Sequence, residues 1–140
     1  MNADQKVLAY RVVTGGVLTV GLALDLASLL WSMEDIGRVV FTAAGEIVLS
    51  IWFFAAFVLS LLARPHIEFR SVAGSVFHAV ITFYMLALTI MHGVNNLLLN
   101  NLAWYLKTFS GPIYPYVAGA VLIAMLVFTL TRRCRPAPTA

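Results

Sequence analysis

The chain has 140 residues, of which 61% are hydrophobic and 11% charged, and its formal net charge at pH 7 is +3. Soluble domains contain roughly 25% charged residues, so this composition excludes an ordinary water-soluble enzyme or binding domain and predicts an integral membrane protein. Little sequence remains outside the apolar stretches to form a soluble catalytic domain, and we expect any chemistry to lie among the helices or at their ends.

Four apolar stretches cover residues 7–31, 39–63, 72–94 and 114–131. Each comes close to or exceeds the roughly 20 residues that a helix needs to cross about 30 Å of hydrocarbon. The sequence therefore predicts a single all-α membrane domain, residues 1–140, built as a bundle of four transmembrane helices.

The first two predicted spans combine small residues with acidic ones. Thr14, Gly21 and Ser28 recur at intervals of seven along one side of the first span, where small side chains allow close helix packing. Asp25 in the first span and Glu46 in the second fall at a similar height in the outer half of the bilayer. Carboxylates inside a membrane often mark ion or proton pathways, so we consider a cation site, a proton site or a contact for a quinone-like head group. The alternative is that each carboxyl group is protonated or hydrogen-bonded and serves packing.

The third span carries a polar seam on one side. Polar and apolar residues at helical spacing predict that this side faces protein, while Val80 and Phe83 on the other side suit lipid. The members of the seam are Ser71, Ser75, His78, Thr82, Met85, Thr89, His92 and Asn96.

The two histidines of the seam, His78 and His92, lie fourteen residues apart, or about 21 Å along a helix. This spacing resembles that of membrane cytochromes of the b type, in which one helix holds two haems, and the resemblance implies haem b as a cofactor. A bis-histidine haem needs a second ligand from another helix, and the other histidine, His66, lies in the loop before the third span. Hydrogen bonding of both imidazoles across the helix interface is the structural alternative.

Residues outside the spans complete the predicted architecture. Residues 94–107 alternate asparagines with Leu, Trp and Tyr, which predicts a short interfacial helix on the membrane surface; an extended loop is the alternative. Residues 132–140 are expected to form a flexible tail. The single cysteine, Cys134, excludes an internal disulfide and a cysteine metal cluster.

Positively charged residues set the predicted orientation, because cytoplasmic segments beside membrane spans collect Lys and Arg. One side carries only Arg38 and Lys107. The other carries Lys6, Arg11, Arg64, Arg70, Arg132, Arg133 and Arg135. Both termini are therefore expected to be cytoplasmic, in the plasma membrane of a prokaryote since the chain is short and shows no targeting segment. The positive charge is assigned to topology and not to nucleic-acid binding.

The sequence shows no Gly-rich phosphate loop, His-Glu-x-x-His or Cys-x-x-Cys motif, so catalytic activity is not expected. The leading interpretation is a non-catalytic subunit of a larger membrane complex, respiratory or electron-transferring, whose partners are lipid and other subunits or a second copy. One alternative is a proton- or cation-coupled carrier or channel that uses Asp25 and Glu46. The other is a haem b electron-transfer subunit that uses His78 and His92.

The predicted orientation can be tested with reporter fusions. Because seven of the nine Lys and Arg residues flank one side, alkaline phosphatase fused after Thr139 should be inactive in a bacterial host, and a fluorescent protein at the same position should fluoresce. An active phosphatase at that position would contradict the assignment.

Overall fold

The computed structural model describes residues 1–32, 35–36, 42–97 and 112–136. Four helices of this described part are long and apolar enough to cross a membrane, which confirms the predicted all-helical class. They are α1 (Ala3–Ala27), α2 (Ala43–Ala63), α3 (Val72–Leu97) and α4 (Tyr114–Thr131), and a short 3-10 helix, Arg64–His66, follows α2. The predicted interfacial helix falls largely on residues 98–107, outside the described residues.

Capping side chains fix where the helices begin. Asn2 accepts a hydrogen bond from the Gln5 backbone N–H at 2.9 Å, and the Gln5 side chain accepts one from the Asn2 backbone N–H at 3.0 Å. This capping box satisfies amide groups that a helix start leaves unpaired, so α1 begins earlier than the predicted span. At the start of α2, the Thr42 hydroxyl accepts a hydrogen bond from the Gly45 N–H at 3.1 Å.

The helices pack in the spatial order α4, α1, α2, α3, in which α1 contacts both α2 and α4 and α2 also contacts α3. Phe77 of α3 and Phe128 of α4 meet edge to face, with ring centroids 4.8 Å apart. A cluster of buried apolar side chains lies at the centre of the bundle. Its members are Val17, Leu18, Phe53, Ala56, Ile81, Met85 and Met125.

The contact between α1 and α2 depends on a glycine and a tryptophan. The Trp52 indole N–H donates to the backbone oxygen of Val13 at 3.3 Å. A Cβ atom on Gly16 would lie 3.0 Å from the same indole ring, so the absence of a side chain at Gly16 allows the ring to pack against the α1 backbone.

The segment after α4 pairs with the loop that follows the 3-10 helix. The Glu68 N–H donates to the Arg133 carbonyl at 3.0 Å, and the Arg135 N–H donates to the His66 carbonyl at 2.7 Å. Ile67, fully buried against Val7, anchors the loop to which this segment pairs. The flexible tail expected for residues 132–140 stays a prediction, and residues 137–140 lie outside the described part.

A buried polar cluster joins α2 to α3 near the 3-10 helix. Ser60 Oγ lies 3.2 Å from His78 Nε2 and 2.5 Å from Thr82 Oγ1. Arg64 Nη1 lies 3.0 Å from His78 Nδ1, and Arg64 Nη2 donates to Ser75 Oγ at 2.9 Å.

The hydrogen-bond roles in this cluster follow from the guanidinium group, which has donors only. His78 Nδ1 must accept from Arg64, so the ring proton sits on Nε2 and is donated to Ser60 Oγ. Thr82 uses its own hydroxyl proton on the His78 carbonyl at 2.9 Å, which leaves the Ser60 hydroxyl to donate to Thr82. Each ring nitrogen of His78 thus has a partner, as a buried imidazole requires.

Removing the Ser60 hydroxyl should destabilise the protein, because it leaves His78 Nε2 and Thr82 Oγ1 without that partner. We expect Ser60→Ala to lower the free energy of unfolding by about 1–2 kcal/mol, measured by denaturant titration in detergent micelles. Thr19→Ala is the matched control, since the Thr19 hydroxyl donates to the Gly15 carbonyl of its own helix and has no other hydrogen bond among the described residues, and it should change stability by less than about 0.5 kcal/mol. Equal effects of the two substitutions would contradict the assigned network.

Candidate functional site

A cavity of about 290 Å³ lies at the end of the bundle where α1 and α3 end and where α2 and α4 begin. All four helices contribute to its lining, which is mostly aliphatic and aromatic and includes Trp52, Phe53 and Tyr84. The ionisable side chains of this lining are Asp25 from α1, Tyr84 and His92 from α3, and Tyr114 from α4. This is an apolar pocket with a few polar groups directed into it, the usual composition of a small-molecule site.

Asp25 lies in the last turns of α1 and is only 8% exposed. Its Oδ1 atom is buried and has no hydrogen-bond partner among the described residues. The nearby Ser28 hydroxyl donates to the Asp25 backbone carbonyl at 2.5 Å, not to the carboxyl group. The carboxyl group therefore presents an oxygen atom in an apolar cavity without the hydrogen bond that burial ordinarily requires.

Gly119 of α4 makes room for this carboxyl group. A Cβ atom at position 119 would lie 2.9 Å from Asp25 Oδ2, which is closer than such atoms approach without a shift. The glycine thus sets the position of Asp25 and lets it pack directly against the backbone of α4.

On another side of the cavity, His92 Nδ1 lies 2.5 Å from Glu46 Oε2. Glu46 is fully buried in the first turn of α2, and His92 is 5% exposed. The imidazole also packs on Phe53, with ring centroids 5.1 Å apart. Such a short contact between a carboxyl group and an imidazole in a dry setting is a charge-assisted hydrogen bond, and it connects Glu46 to the cavity through His92.

The sequence predicts Asp25 and Glu46 at a similar height. The structure places both at the same end of the bundle, but the carboxyl group of Glu46 bonds to His92. A comparison of the two acidic residues does not reveal this acid–base pair. The sequence signal for it is that α2 and α3 are consecutive and that His92 lies on the polar seam near the same end.

The polar seam of α3 turns largely toward α2. Ser75 and Thr89 are half-buried, Ser71 is exposed, and the side chain of Asn96 lies outside the described part. Val80 and Phe83 on the other side are 47% and 69% exposed. The buried members are His78, Thr82, Met85 and His92.

The small residues of α1 have separate environments. Thr14 is fully buried, and its hydroxyl has no hydrogen-bond partner among the described residues. Gly21 faces α4, where a Cβ atom would stand 3.7 Å from a methyl group of Leu122, an ordinary contact distance. Ser28 lines the cavity beside Asp25.

The histidines do not fit a pair of haem ligands. Both ring nitrogens of His78 are engaged, by Arg64 and by Ser60, and the ring is fully buried. An axial bond to iron would require one of these hydrogen bonds to break. His92 uses Nδ1 to bond Glu46, so an axial bond from this ring would involve Nε2. In the described ranges no group of three or more His, Cys, Asp or Glu side chains is placed to hold a metal ion.

Comparison of the chain with protein-family models, with curated proteins and with solved structures found no match.

The two carboxyl groups should differ in their effect on stability. Glu46→Ala removes the hydrogen-bond acceptor of a buried imidazole and should lower the free energy of unfolding by about 3 kcal/mol or more. Asp25→Ala removes a buried carboxyl group whose Oδ1 has no hydrogen-bond partner among the described residues, so stability should stay unchanged or rise, as is common at binding sites.

Denaturant titration of both variants in the same micelles would check this difference. A double-mutant cycle with His92→Ala should give a coupling of about 1–3 kcal/mol for Glu46 and close to zero for Asp25. Equal destabilisation by Asp25→Ala and Glu46→Ala would contradict the distinction drawn here.

Proposed function

We propose that this protein is a small multi-pass membrane protein that binds an organic cation in the cavity, with Asp25 as the counter-ion. The observation that supports it best is the Asp25 carboxyl group, 8% exposed, with one oxygen lacking a described partner, at the wall of an apolar cavity. An ionised carboxylate within a membrane costs several kcal/mol. A bound cation or a bound proton compensates that cost, whereas a neutral apolar occupant does not.

The lining favours an organic cation over a small inorganic one. Trp52, Phe53 and Tyr84 line the same cavity, and aromatic faces attract ammonium groups within about 6 Å. Hard inorganic cations are instead held by several oxygen ligands, whereas this lining is predominantly apolar. An amine with an apolar body matches both the carboxyl group and the surrounding walls.

In this proposal, the protein exchanges a proton for an organic cation at Asp25 and does not form an open channel. Buried apolar side chains, among them Ala56, Ile81 and Met85, separate the polar groups at the two ends of the α2–α3 interface. Such an apolar layer disfavours the passage of a hydrated ion. Proton and organic cation are then alternative partners of Asp25, as expected of a proton-coupled carrier.

The predicted topology determines which side of the membrane the cavity is near. Both described chain ends lie at the opposite end of the bundle, beside the 3-10 helix. With cytoplasmic termini, the cavity occupies the outer half of the membrane.

The interpretation as a subunit of a larger complex stays a prediction. One reason for it is that the sequence carries long polar and small-residue seams, more interaction surface than four short helices easily satisfy among themselves. Within the described residues, His78 and Thr82 bond Ser60, and His92 bonds Glu46, so much of that polar surface is used inside the chain. The carrier interpretation therefore has the stronger structural support.

A pair of ligands of nearly equal shape tests the proposed function. Benzyltrimethylammonium carries a permanent positive charge, and neopentylbenzene replaces its nitrogen by carbon. Calorimetric titration of the protein in lipid nanodiscs should show binding of the cation, and Asp25→Asn should weaken that binding by at least about tenfold. Binding of the neutral isostere should not depend on this substitution.

Glu68→Gln is the control for this titration, because Glu68 lies in the loop at the opposite end of the bundle, and it should bind the cation as the wild type does. Equal affinity of the cation for wild type and Asp25→Asn would overturn the assignment of Asp25 as the counter-ion.

A substitution on α4 tests the geometry of the same site. Gly119→Ala introduces a methyl group 2.9 Å from Asp25 Oδ2, so the carboxyl group must turn away and cation affinity should fall severalfold. The chain should still fold, since the atom displaced is the end of a side chain and alanine is favoured over glycine in helices. Gly74→Ala, where the nearest atom is at 3.5 Å, should leave cation affinity unchanged, and a Gly119→Ala protein with wild-type affinity would contradict the described packing.

A further inference from the structure

We propose that the Glu46–His92 pair is a second proton site of the exchange, which releases a proton when a cation occupies the cavity. This inference rests on the proposed function and adds to it a role for two residues that do not hold the cation themselves. The geometry that supports it is the shared cavity: His92 lines the same space as Asp25, and its Nδ1 lies 2.5 Å from Glu46 Oε2.

The pair has two protonation states that preserve its internal hydrogen bond. In the protonated state, an imidazolium donates from Nδ1 to the Glu46 carboxylate, and the pair has no net charge. In the deprotonated state, the neutral imidazole keeps its Nδ1 proton on the same bond, and the pair carries one negative charge. The proton that leaves is the one on the other ring nitrogen, and water accepts it.

Occupancy of the cavity changes the balance between these states. A cation beside Asp25 repels the imidazolium and attracts a negatively charged pair, and charges in a poorly solvated site interact strongly. The ionisable groups of the described part that face the cavity from each helix are Asp25 of α1, His92 and Tyr84 of α3, and Tyr114 of α4, and Glu46 of α2 stands behind His92. Among these, the acid–base pair can give up a proton while its Nδ1 to Oε2 bond stays intact.

Burial explains why the pair responds to the cavity and not to bulk solvent. Glu46 is fully buried, and Phe53 covers one side of the His92 ring at 5.1 Å between centroids. Water screens charges poorly in such a setting. The cavity that His92 lines is the place where an added charge is closest to the pair.

Calorimetric titration of benzyltrimethylammonium in buffers of different ionisation enthalpy measures the number of protons released per cation bound. We expect the wild type to release about one proton more than Glu46→Gln at a pH where the pair is protonated. In Glu46→Gln, the amide still accepts the Nδ1–H bond but no longer stabilises an imidazolium, so only the proton exchanged at Asp25 remains. The affinity of the wild type for the cation should also rise more steeply with pH than that of Glu46→Gln, because proton competition is greater.

A second variant guards against a folding defect in the first. His92→Asn can present an amide to Glu46 and should show the same loss of proton release. Glu68→Gln, whose side chain lies in the loop at the opposite end of the bundle, should release protons as the wild type does.

The outcomes separate this inference from the proposed function. Cation binding with the same proton release in wild type, Glu46→Gln and His92→Asn would overturn the inference alone. No cation binding by the wild type would overturn both. Reduced proton release in both variants, with cation binding retained, would support the pair as the second proton site.

Discussion

Hydrogen bonds between α2 and α3 offset the cost of burying polar side chains in this bundle. Residues of α2 meet residues of α3 at both ends of the contact, Ser60 with His78 at one and Glu46 with His92 at the other. Between them, the Ser50 hydroxyl donates to the Thr89 carbonyl at 3.3 Å. Each of these bonds needs a particular register and rotation of the two helices, because a shift of one turn would leave a buried polar group without its partner. Nonspecific apolar contacts would tolerate such a shift, so the hydrogen bonds define the alignment of this helix pair.

The interface of α1 with α4 differs in that it buries a carboxyl oxygen without a described hydrogen-bond partner. The candidate site is built on this carboxyl group. At one end, the hydroxyl oxygens of Tyr10 and Thr129 lie 3.5 Å apart. At the other end, Asp25 packs against Gly119, and its Oδ1 has no hydrogen-bond donor among the described residues. A helix pair selected for stability alone would place a donor at position 119 or an apolar residue at position 25. In the proposed function, the combination of an acid with a glycine keeps the carboxyl group available to the cation, at some cost in stability.

Much of the architecture could be predicted from the sequence, because helix number and approximate bounds depend on the length and polarity of continuous segments. The inward rotation of α3 followed from the spacing of His78, Thr82 and His92 for the same reason. The pairing partners could not be predicted in this way. Periodicity shows which side of a helix is polar, but the choice between His92 and Asp25 as the partner of Glu46 depends on which helices are neighbours and on their relative rotation. The role of Gly119 was equally inaccessible, since a glycine in a transmembrane segment signals close packing without identifying what packs against it.

The cavity lies between two helix pairs that are each joined by their own contacts. Asp25 and Gly119 belong to α1 and α4, and Glu46 and His92 belong to α2 and α3. The pairs are connected through α1 and α2, where the Trp52 indole packs against Gly16 and bonds Val13. The cavity lining includes Asp25 from one pair and His92, which bonds Glu46, from the other. The Trp52 ring, which joins the two pairs, lines the same cavity. In the proposed function, the charge of the occupant and the protonation of the Glu46–His92 pair are therefore coupled through this apolar cavity.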